Sequence, residues 1–177
     1  GAMQWEWALL LLARMEEAIV DPDVNAYNAG ISACEIGQWQ QALSLLRKLG
    51  GVKLEADVFS YTSSIVCCEE SKEWERALLL FAEMASARVN PNSVSYTAAV
   101  GACGKVGQWR RALSLLSSMR EAELEPEATP YGYAISACEK GGRWQQALSL
   151  ISEMGELRLE ASFVVYTCGV RACGRYG

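Results

Sequence analysis

The stretch Trp-Arg-Arg-Ala-Leu-Ser-Leu-Leu at residues 109–116 decides the fold, because the chain repeats its pattern along its whole length. Tryptophan followed by Ala-Leu three and four residues later recurs every 35 residues, at Trp39, Trp74, Trp109 and Trp144. A fifth copy begins at Trp5, 34 residues before Trp39. A fixed period of this length indicates stacked structural repeats, each of which buries its apolar face against its neighbours.

Each period contains two segments with helical spacing. In one of them, Tyr96, Val100 and Cys103 form an apolar stripe at positions i, i+4 and i+7 of a first helix, and Trp109 then begins a second helix. Polar or glycine-containing turns separate the two helices, and a proline such as Pro126 stops the second one. The sequence therefore predicts an all-α solenoid of stacked antiparallel helix-turn-helix repeats.

The same register divides the chain into repeats. Both ends fall within a repeat and leave an apolar face uncovered, whereas natural arrays usually finish with polar capping repeats. We therefore expect a fragment of a longer protein that can associate end to end. The predicted segments are a remnant of an expression tag at 1–3, a half repeat with only its second helix at 4–23, full repeats at 24–57, 58–92, 93–127 and 128–162, and a half repeat with only its first helix at 163–177.

Composition excludes several classes of function. No apolar run among the 177 residues reaches the roughly 18 to 20 residues that cross a bilayer, so we expect no membrane span. The chain has no histidine, so it lacks the commonest general base, and no carboxylate cluster recurs with metal-ligand spacing. We therefore expect no enzyme activity, no cofactor and no metal. A net charge of −5 argues against non-specific coating of phosphate backbones.

Five of the seven cysteines share one register, at Cys34, Cys68, Cys103, Cys138 and Cys173. Equivalent positions in stacked helices lie roughly 10 Å apart, whereas a disulfide needs Cα atoms less than about 7 Å apart. We therefore expect buried free thiols, which fit a reducing compartment.

A second stripe on each first helix carries small or polar side chains that differ from repeat to repeat. In the third full repeat it consists of Val94, Thr97, Gly101 and Lys105. Stacking would align these stripes along one surface, with constant spacing and variable chemistry. Such a surface is suited to binding a polymer, one unit per repeat.

The period, the segment Tyr-Asn-Ala-Gly-Ile-Ser-Ala-Cys at 27–34 with its four relatives, the Ala-Leu-x-Leu of the second helix and Pro91-Asn92 resemble the pentatricopeptide repeat family over nearly the whole chain. The resemblance implies a right-handed superhelix that binds single-stranded RNA at about one base per repeat. It also implies RNA processing, stability, editing or translation in mitochondria or plastids.

The resemblance also implies residue roles. The residue after the Tyr and the last residue of the repeat contact the base edge, which gives the pairs Asn28–Asp57, Thr62–Asn92, Thr97–Glu127 and Gly132–Ser162. The first pair implies uracil and the second adenine, with the amino-terminal repeat towards the 5′ end, whereas the last two pairs depart from the family's code. The residues that sandwich bases would be Asn25, Phe59, Val94, Thr129 and Val164, and those that bind phosphate would be Lys105, Lys140 and Arg175.

Simpler interpretations exist for the same residues. Asn and Thr near a helix start cap helices in many proteins, and the lysines can be solvated surface charges. The tryptophans begin second helices beside Ala-Leu stripes, so we expect them to pack rather than to stack on bases. At the level of function, the alternative is a scaffold for protein–protein interaction, since helical solenoids also bind peptides and folded partners.

Overall fold

The computed structural model describes residues 4–34, 37–52 and 54–176, with the side chains of all of these except Gln4, Glu16, Arg175 and Tyr176. Within these ranges it contains ten helices and no strand, so the prediction of an all-α repeat fold is confirmed. The proposed tag remnant at 1–3 lies outside the described residues. The helices are α1 Gln4–Glu17, α2 Val24–Ser32, α3 Trp39–Gly51, α4 Val58–Glu70, α5 Trp74–Ser86, α6 Ser93–Val106, α7 Trp109–Glu121, α8 Ala128–Lys140, α9 Trp144–Glu156 and α10 Phe163–Tyr176.

The chain forms two compact units, Gly1–Pro91 and Asn92–Gly177. The first contains α1 to α5 and the second contains α6 to α10. In both units, helices that begin at a tryptophan of the register alternate with helices that begin at the start of a predicted repeat. We call the former second-type helices (α1, α3, α5, α7 and α9) and the latter first-type helices (α2, α4, α6, α8 and α10).

One aliphatic residue per first-type helix lies at the centre of each hairpin. Ile31, Ile65, Val100 and Ile135 occupy the same register position, and all four are completely buried. The alanine after each tryptophan of the hairpins is also completely buried, and so is the Leu or Met near the end of the same helix, apart from a small residual exposure of Met119. Burial of one such aliphatic side chain contributes about 1.5–3 kcal/mol. The predicted apolar stripe is therefore the core, although α2 ends at Ser32, so that Cys34 lies beyond its helix.

The tryptophan column packs against the following turn. All four hairpin tryptophans are half-buried, and Trp109 lies against Gly141, where an added Cβ would be 2.3 Å from the ring. Arg110 and Arg143 lie near the same ring, with guanidinium carbons 4.7 and 4.6 Å from its centroid. These contacts favour the packing interpretation of Trp109, supplemented by cation–π attraction.

A left-handed residue recurs in each turn from a first-type to a second-type helix. Positive φ angles occur at Gly37, Lys72, Gly107 and Gly142, again at the repeat spacing. At Gly107 the φ of 81° ends α6, and the Gln108 amide then donates to the Cys103 carbonyl at 3.0 Å. Glycine adopts this conformation without a Cβ penalty, whereas Lys72 does so at a cost.

All seven cysteines are free, and six are buried; Cys173 is half-buried. Burial raises the pKa of Cys103 to about 11 and that of Cys68 to about 12, so these thiols are protonated at neutral pH. No helix among the described residues is long and apolar enough to cross a membrane. The same residues contain no cluster of three or more Cys, Asp or Glu side chains arranged to hold a metal ion.

Two helices of the second unit approach closely at Gly104. A Cβ added to Gly104 of α6 would lie 2.6 Å from the Tyr133 carbonyl oxygen of α8, which is backbone and cannot rotate away. By contrast, a Cβ at Gly155 of α9 would contact nothing within 4 Å. The two glycines are therefore present for different reasons, one steric and the other not.

We expect Gly104→Ala to lower the free energy of unfolding by about 1–3 kcal/mol, since backbone overlap outweighs the gain in helix propensity. Gly155→Ala, the matched control, should raise it by up to about 1 kcal/mol. Urea unfolding followed by circular dichroism measures both. Equal effects of the two substitutions would contradict the close approach of α6 and α8.

Candidate nucleic-acid interface

The last residue of a repeat is also the residue that caps the next first-type helix. Asp57 precedes α4, and its carboxylate accepts a hydrogen bond from the Ser60 amide at 2.8 Å. Asn92 precedes α6, and its Oδ1 accepts from the Ser95 amide at 2.9 Å. In each case the serine hydroxyl in turn accepts from the capping residue's amide, which completes a capping box. Capping therefore fixes where these two side chains lie.

In the first unit, the cap joins the predicted base-contacting pair. The Asn28 amide nitrogen donates to Asp57 Oδ1 at 3.2 Å and lies 3.4 Å from Oδ2. Ser60 donates its hydroxyl proton to Asn28 Oδ1 at 2.6 Å. Asn28 and Asp57, 29 residues apart in sequence, are thus brought together as the resemblance implies. Asn28 is almost fully buried, so its amide is held in one orientation.

The hydrogen bonds keep Asp57 ionised. Burial raises the pKa of Asp57, but the hydrogen bonds from the Ser60 amide and hydroxyl and from Asn28 together outweigh it, and the pKa lies below its ordinary value. The carboxylate is therefore an acceptor at neutral pH. Its Oδ2 has only the long contact with Asn28, whereas Oδ1 takes the bonds from Ser60.

The threonines of the next two repeats have buried hydroxyls. Thr62 is 9% exposed and Thr97 is half-buried, and the Oγ1 atom of each is inaccessible and has no hydrogen-bond partner among the described residues. Our expectation of a surface stripe is met only in part, since Gly101 of that stripe is also buried. Threonine in a helix adopts two rotamers, so a rotation about χ1 would be needed to expose either hydroxyl.

The pair Thr97–Glu127 is not joined by a hydrogen bond. Glu127 stands at the cap position of α8 but makes no side-chain cap, and its Oε1 accepts from the Ser93 hydroxyl instead. In the fourth repeat, Gly132 has no side chain and Ser162 is exposed. A Cβ added at Gly132 would meet only Val165 Cγ2 at 3.5 Å, an ordinary contact, so this position has room for a side chain.

The five predicted sandwiching residues are all exposed. Each is the second residue of a first-type helix, and exposure reaches 51% for Phe59, 57% for Val94 and 62% for Val164. Asn25 and Thr129 are exposed at the equivalent positions. The Asn25 amide donates to Asp23 Oδ2 at 3.2 Å, which ties it to the cap of α2. Apolar side chains that remain in solvent at a fixed register are available to contact flat ligands.

The predicted phosphate-binding cations have different environments. Lys140 donates to the carbonyl oxygens of Gly104 at 3.1 Å and Lys105 at 2.8 Å, so it caps the end of α6. The expectation of a fully available Lys140 is therefore corrected: two of its three donors are used within the unit. Lys105 is half-exposed, and the side chain of Arg175 lies outside the described residues.

Sequence reasoning missed the two serines that orient the caps and the two arginines beside Trp109. The spacings Asp57-x-x-Ser60 and Asn92-x-x-Ser95 carry a capping-box signal, with Ser in place of the usual Glu. No comparable sequence signal places Arg143 on Trp109, because the two are 34 residues apart and meet only through packing.

Alternating first-type and second-type helices, with caps that present polar side chains at a fixed register, define a helical-repeat protein of the solenoid class. Models of the PPR repeat family match residues 56–105, and models of the PPR repeat match residues 94–124 and 130–159. Together these matches cover more than half of the chain. The chain belongs to the pentatricopeptide repeat family.

Solved structures of similar fold agree. The crystal structure of the pentatricopeptide repeat protein PPR10 from maize is 27% identical, with a TM-score of 0.73, over 99% of this chain and 26% of that one. PPR10 in complex with an 18-nucleotide psaJ RNA element is 28% identical, with a TM-score of 0.79, over 97% of this chain and 26% of that one. The chain thus spans about a quarter of PPR10.

Nuclear proteinaceous RNase P 2 from Arabidopsis thaliana has a TM-score of 0.82 at 13% identity, over 99% of this chain and 40% of that one. At this identity the likeness concerns the fold alone. No curated protein sequence matches the chain.

We expect Asp57→Asn to keep the helix cap but to remove an acid-sensitive contribution to stability. Because the folded-state pKa of Asp57 is lowered, its hydrogen bonds stabilise the fold above the unfolded-state pKa of about 3.9. This stabilisation is lost as the pH falls below about 4 through the lower folded-state pKa. Unfolding free energies measured at pH 6 and pH 3 should therefore differ less in the variant than in the wild type.

Asp21→Asn is the control for this measurement, since Asp21 is exposed, lies outside the helices and makes no hydrogen bond among the described residues. It should reproduce the pH dependence of the wild type. An identical pH dependence in Asp57→Asn would contradict the assigned hydrogen bonds.

Proposed function

We propose that this chain binds single-stranded RNA along its first-type helices, at about one base per repeat, and carries out no chemistry on it. The observation that carries the proposal is the Asn28–Asp57 pair, which is oriented by Ser60 and flanked by the exposed Asn25 and Phe59. A polar pair between two exposed side chains at the stacking positions offers hydrogen bonds for a base edge and contacts for its faces.

The chemistry of the pair favours uracil. The Asp57 carboxylate is ionised and can only accept, and its Oδ2 is the less occupied oxygen. Uracil offers the N3–H donor, whereas N3 of cytosine is an acceptor and would face the carboxylate with two lone pairs. The second hydrogen of the Asn28 amide nitrogen is left for a uracil carbonyl. Donor and acceptor thus match one pyrimidine and repel the other.

The faces of the base would be held by the residues at the second position of successive first-type helices. Phe59 offers an aromatic face for one side, and stacking on an aromatic side chain contributes about 1–3 kcal/mol per base. Asn25 on the other side is smaller and tied to Asp23, so its contribution is weaker. In the second unit Val94, Thr129 and Val164 would serve in the same way.

Thr97 would require a local rearrangement. Its hydroxyl is buried without a partner among the described residues, and such a group costs about 1–3 kcal/mol. Rotation about χ1 towards a base edge would relieve that cost. Glu127 would have to leave Ser93 to join it, which supports a loose base preference in this repeat.

The charge distribution supports a modest affinity. Lys105, Lys140 and Arg175 would contact phosphates, but Lys140 keeps only one donor for this purpose and the net charge is −5. Three phosphate contacts on a single strand predict a slope of about −2 in the plot of log affinity against log salt.

The comparisons support the proposal through PPR10, which has been crystallised with an RNA element and resembles this chain at 28% identity. Family membership favours a role in RNA processing in mitochondria or plastids, and we include that location in the proposal. A fluorescence-anisotropy titration with short single-stranded RNAs that contain the U-A dinucleotide tests it. Absence of binding at low salt would contradict RNA recognition and favour a scaffold for protein partners.

We expect Asp57→Asn to shift the base preference of the first repeat from uracil towards cytosine. An amide can donate to N3 of cytosine, which a carboxylate cannot, and asparagine is an equally good helix cap. Anisotropy titrations with RNAs that differ only at this base measure the change, and Asp21→Asn is the matched control. Unchanged preference with unchanged affinity would show that Asp57 does not contact the base.

We expect the double variant Gly132→Thr, Ser162→Asn to create a preference for adenine in the fourth repeat. The space around Gly132 accepts a Cβ, and the two new residues reproduce the Thr–Asn combination that the family resemblance associates with adenine. Titrations against RNAs with each of the four bases at this position should show about a tenfold gain for adenine, equivalent to about 1.4 kcal/mol. Equal gains for all bases would indicate non-specific contact.

A further inference from the structure

Helix α1 stands to α2 as α9 stands to α10. A Cβ added to Gly30 of α2 would lie 2.9 Å from Leu12 Cδ1 of α1, and a Cβ added to Gly169 of α10 would lie 2.7 Å from Ile151 Cδ1 of α9. Leu12 and Ile151 both follow the tryptophan of their helix by seven residues. Therefore α1 is a second-type helix without a first-type helix before it, and α10 is a first-type helix without a second-type helix after it, among the described residues.

The free face of α10 exposes the residues that are the core elsewhere. Val170 is 72% exposed, whereas its equivalents, including Val100 and Ile135, are completely buried. Tyr166 is 57% exposed, whereas Tyr131 at the same register position is 1% exposed. The amino acids are of the same kind as in the buried hairpins. What differs is the absence of a helix packed on them.

The free face of α1 shows the complementary pattern. Leu11 is 59% exposed, whereas its equivalents Leu45, Leu80 and Leu150 are buried. On α9, next to α10, Leu148 is 42% exposed, whereas Leu43 at the same position of α3 is buried and lines a groove with Leu79 and Leu80 of α5. Both faces thus keep the apolar residues of an ordinary repeat junction.

We propose that α1 of one copy of this chain packs on α9 and α10 of a second copy, so that the chain assembles head to tail. The two faces are the two halves of the interface that α8, α9 and their neighbours form within the second unit, which makes a second copy the fitting occupant. Charge supports the choice: α1 contains three glutamates and one arginine, whereas α10 contains two arginines and no carboxylate. Such a contact is heterologous and adds further copies in the same direction.

The assembly is independent of RNA binding and would extend the array of repeats by non-covalent contacts. Two end-blocked variants, Leu11→Glu and Val170→Glu, test it in the absence of RNA. Both side chains are exposed in the single chain, so neither change should unfold it, and circular dichroism checks this. By light scattering after size exclusion, the wild type should grow in mass with concentration, and each variant alone should remain a monomer.

The mixture of the two variants is the decisive sample. Leu11→Glu keeps an intact α10 face and Val170→Glu keeps an intact α1 face, so the mixture should form a one-to-one dimer and nothing larger. Leu79→Glu, at an exposed position on α5, is the matched control and should associate like the wild type.

Three results would overturn the proposal. A wild type that stays monomeric at all concentrations would show that the two faces do not bind each other. Self-association of Leu11→Glu alone would indicate pairing of two α10 faces, and self-association of Val170→Glu alone would indicate pairing of two α1 faces. A mixture that remains monomeric would likewise exclude head-to-tail contact.

Discussion

The structure depends on the burial of one aliphatic residue per first-type helix against the alanine and the Leu or Met of a second-type helix. Positions 31, 65, 100 and 135 have no exposure at all, and each requires helices on both sides to reach that state. Because the requirement recurs every 34 or 35 residues, it sets the spacing of every other feature. Where the covering helix is missing, as at Val170, the same residue type lies in solvent.

That spacing gives the helix caps a second role. A residue that caps a first-type helix must stand directly before it, and the capping hydrogen bond fixes its side chain close to the first turn. In the first unit this places the Asp57 carboxylate against Asn28 and lowers its pKa. Stability and the proposed base recognition therefore use the same side chain. A substitution that changes recognition is interpretable only if it preserves the cap, as Asn does for Asp.

The electrostatics of the chain agree with a limited RNA affinity. Cations lie where first-type helices end, at Lys105 and Lys140, and Arg143 adds a guanidinium beside Trp109. Part of this charge is already used, because Lys140 binds two backbone carbonyls of α6. A longer array of such repeats would gain affinity by adding contacts, and end-to-end assembly would achieve this without a longer chain.

The sequence by itself determined the period, the helix types and the buried residues, because helical spacing and the tryptophan register are local and repeat five times. It also located the exposed second position of each first-type helix. Only the tertiary structure showed that Asn28 is bonded to both Asp57 and Ser60, that Thr62 is buried, and that Lys140 caps α6. These facts depend on contacts between residues about 30 or more positions apart, or on the depth of a side chain in the packed core. Such distances are set by the packing of neighbouring repeats, which a one-dimensional pattern does not contain.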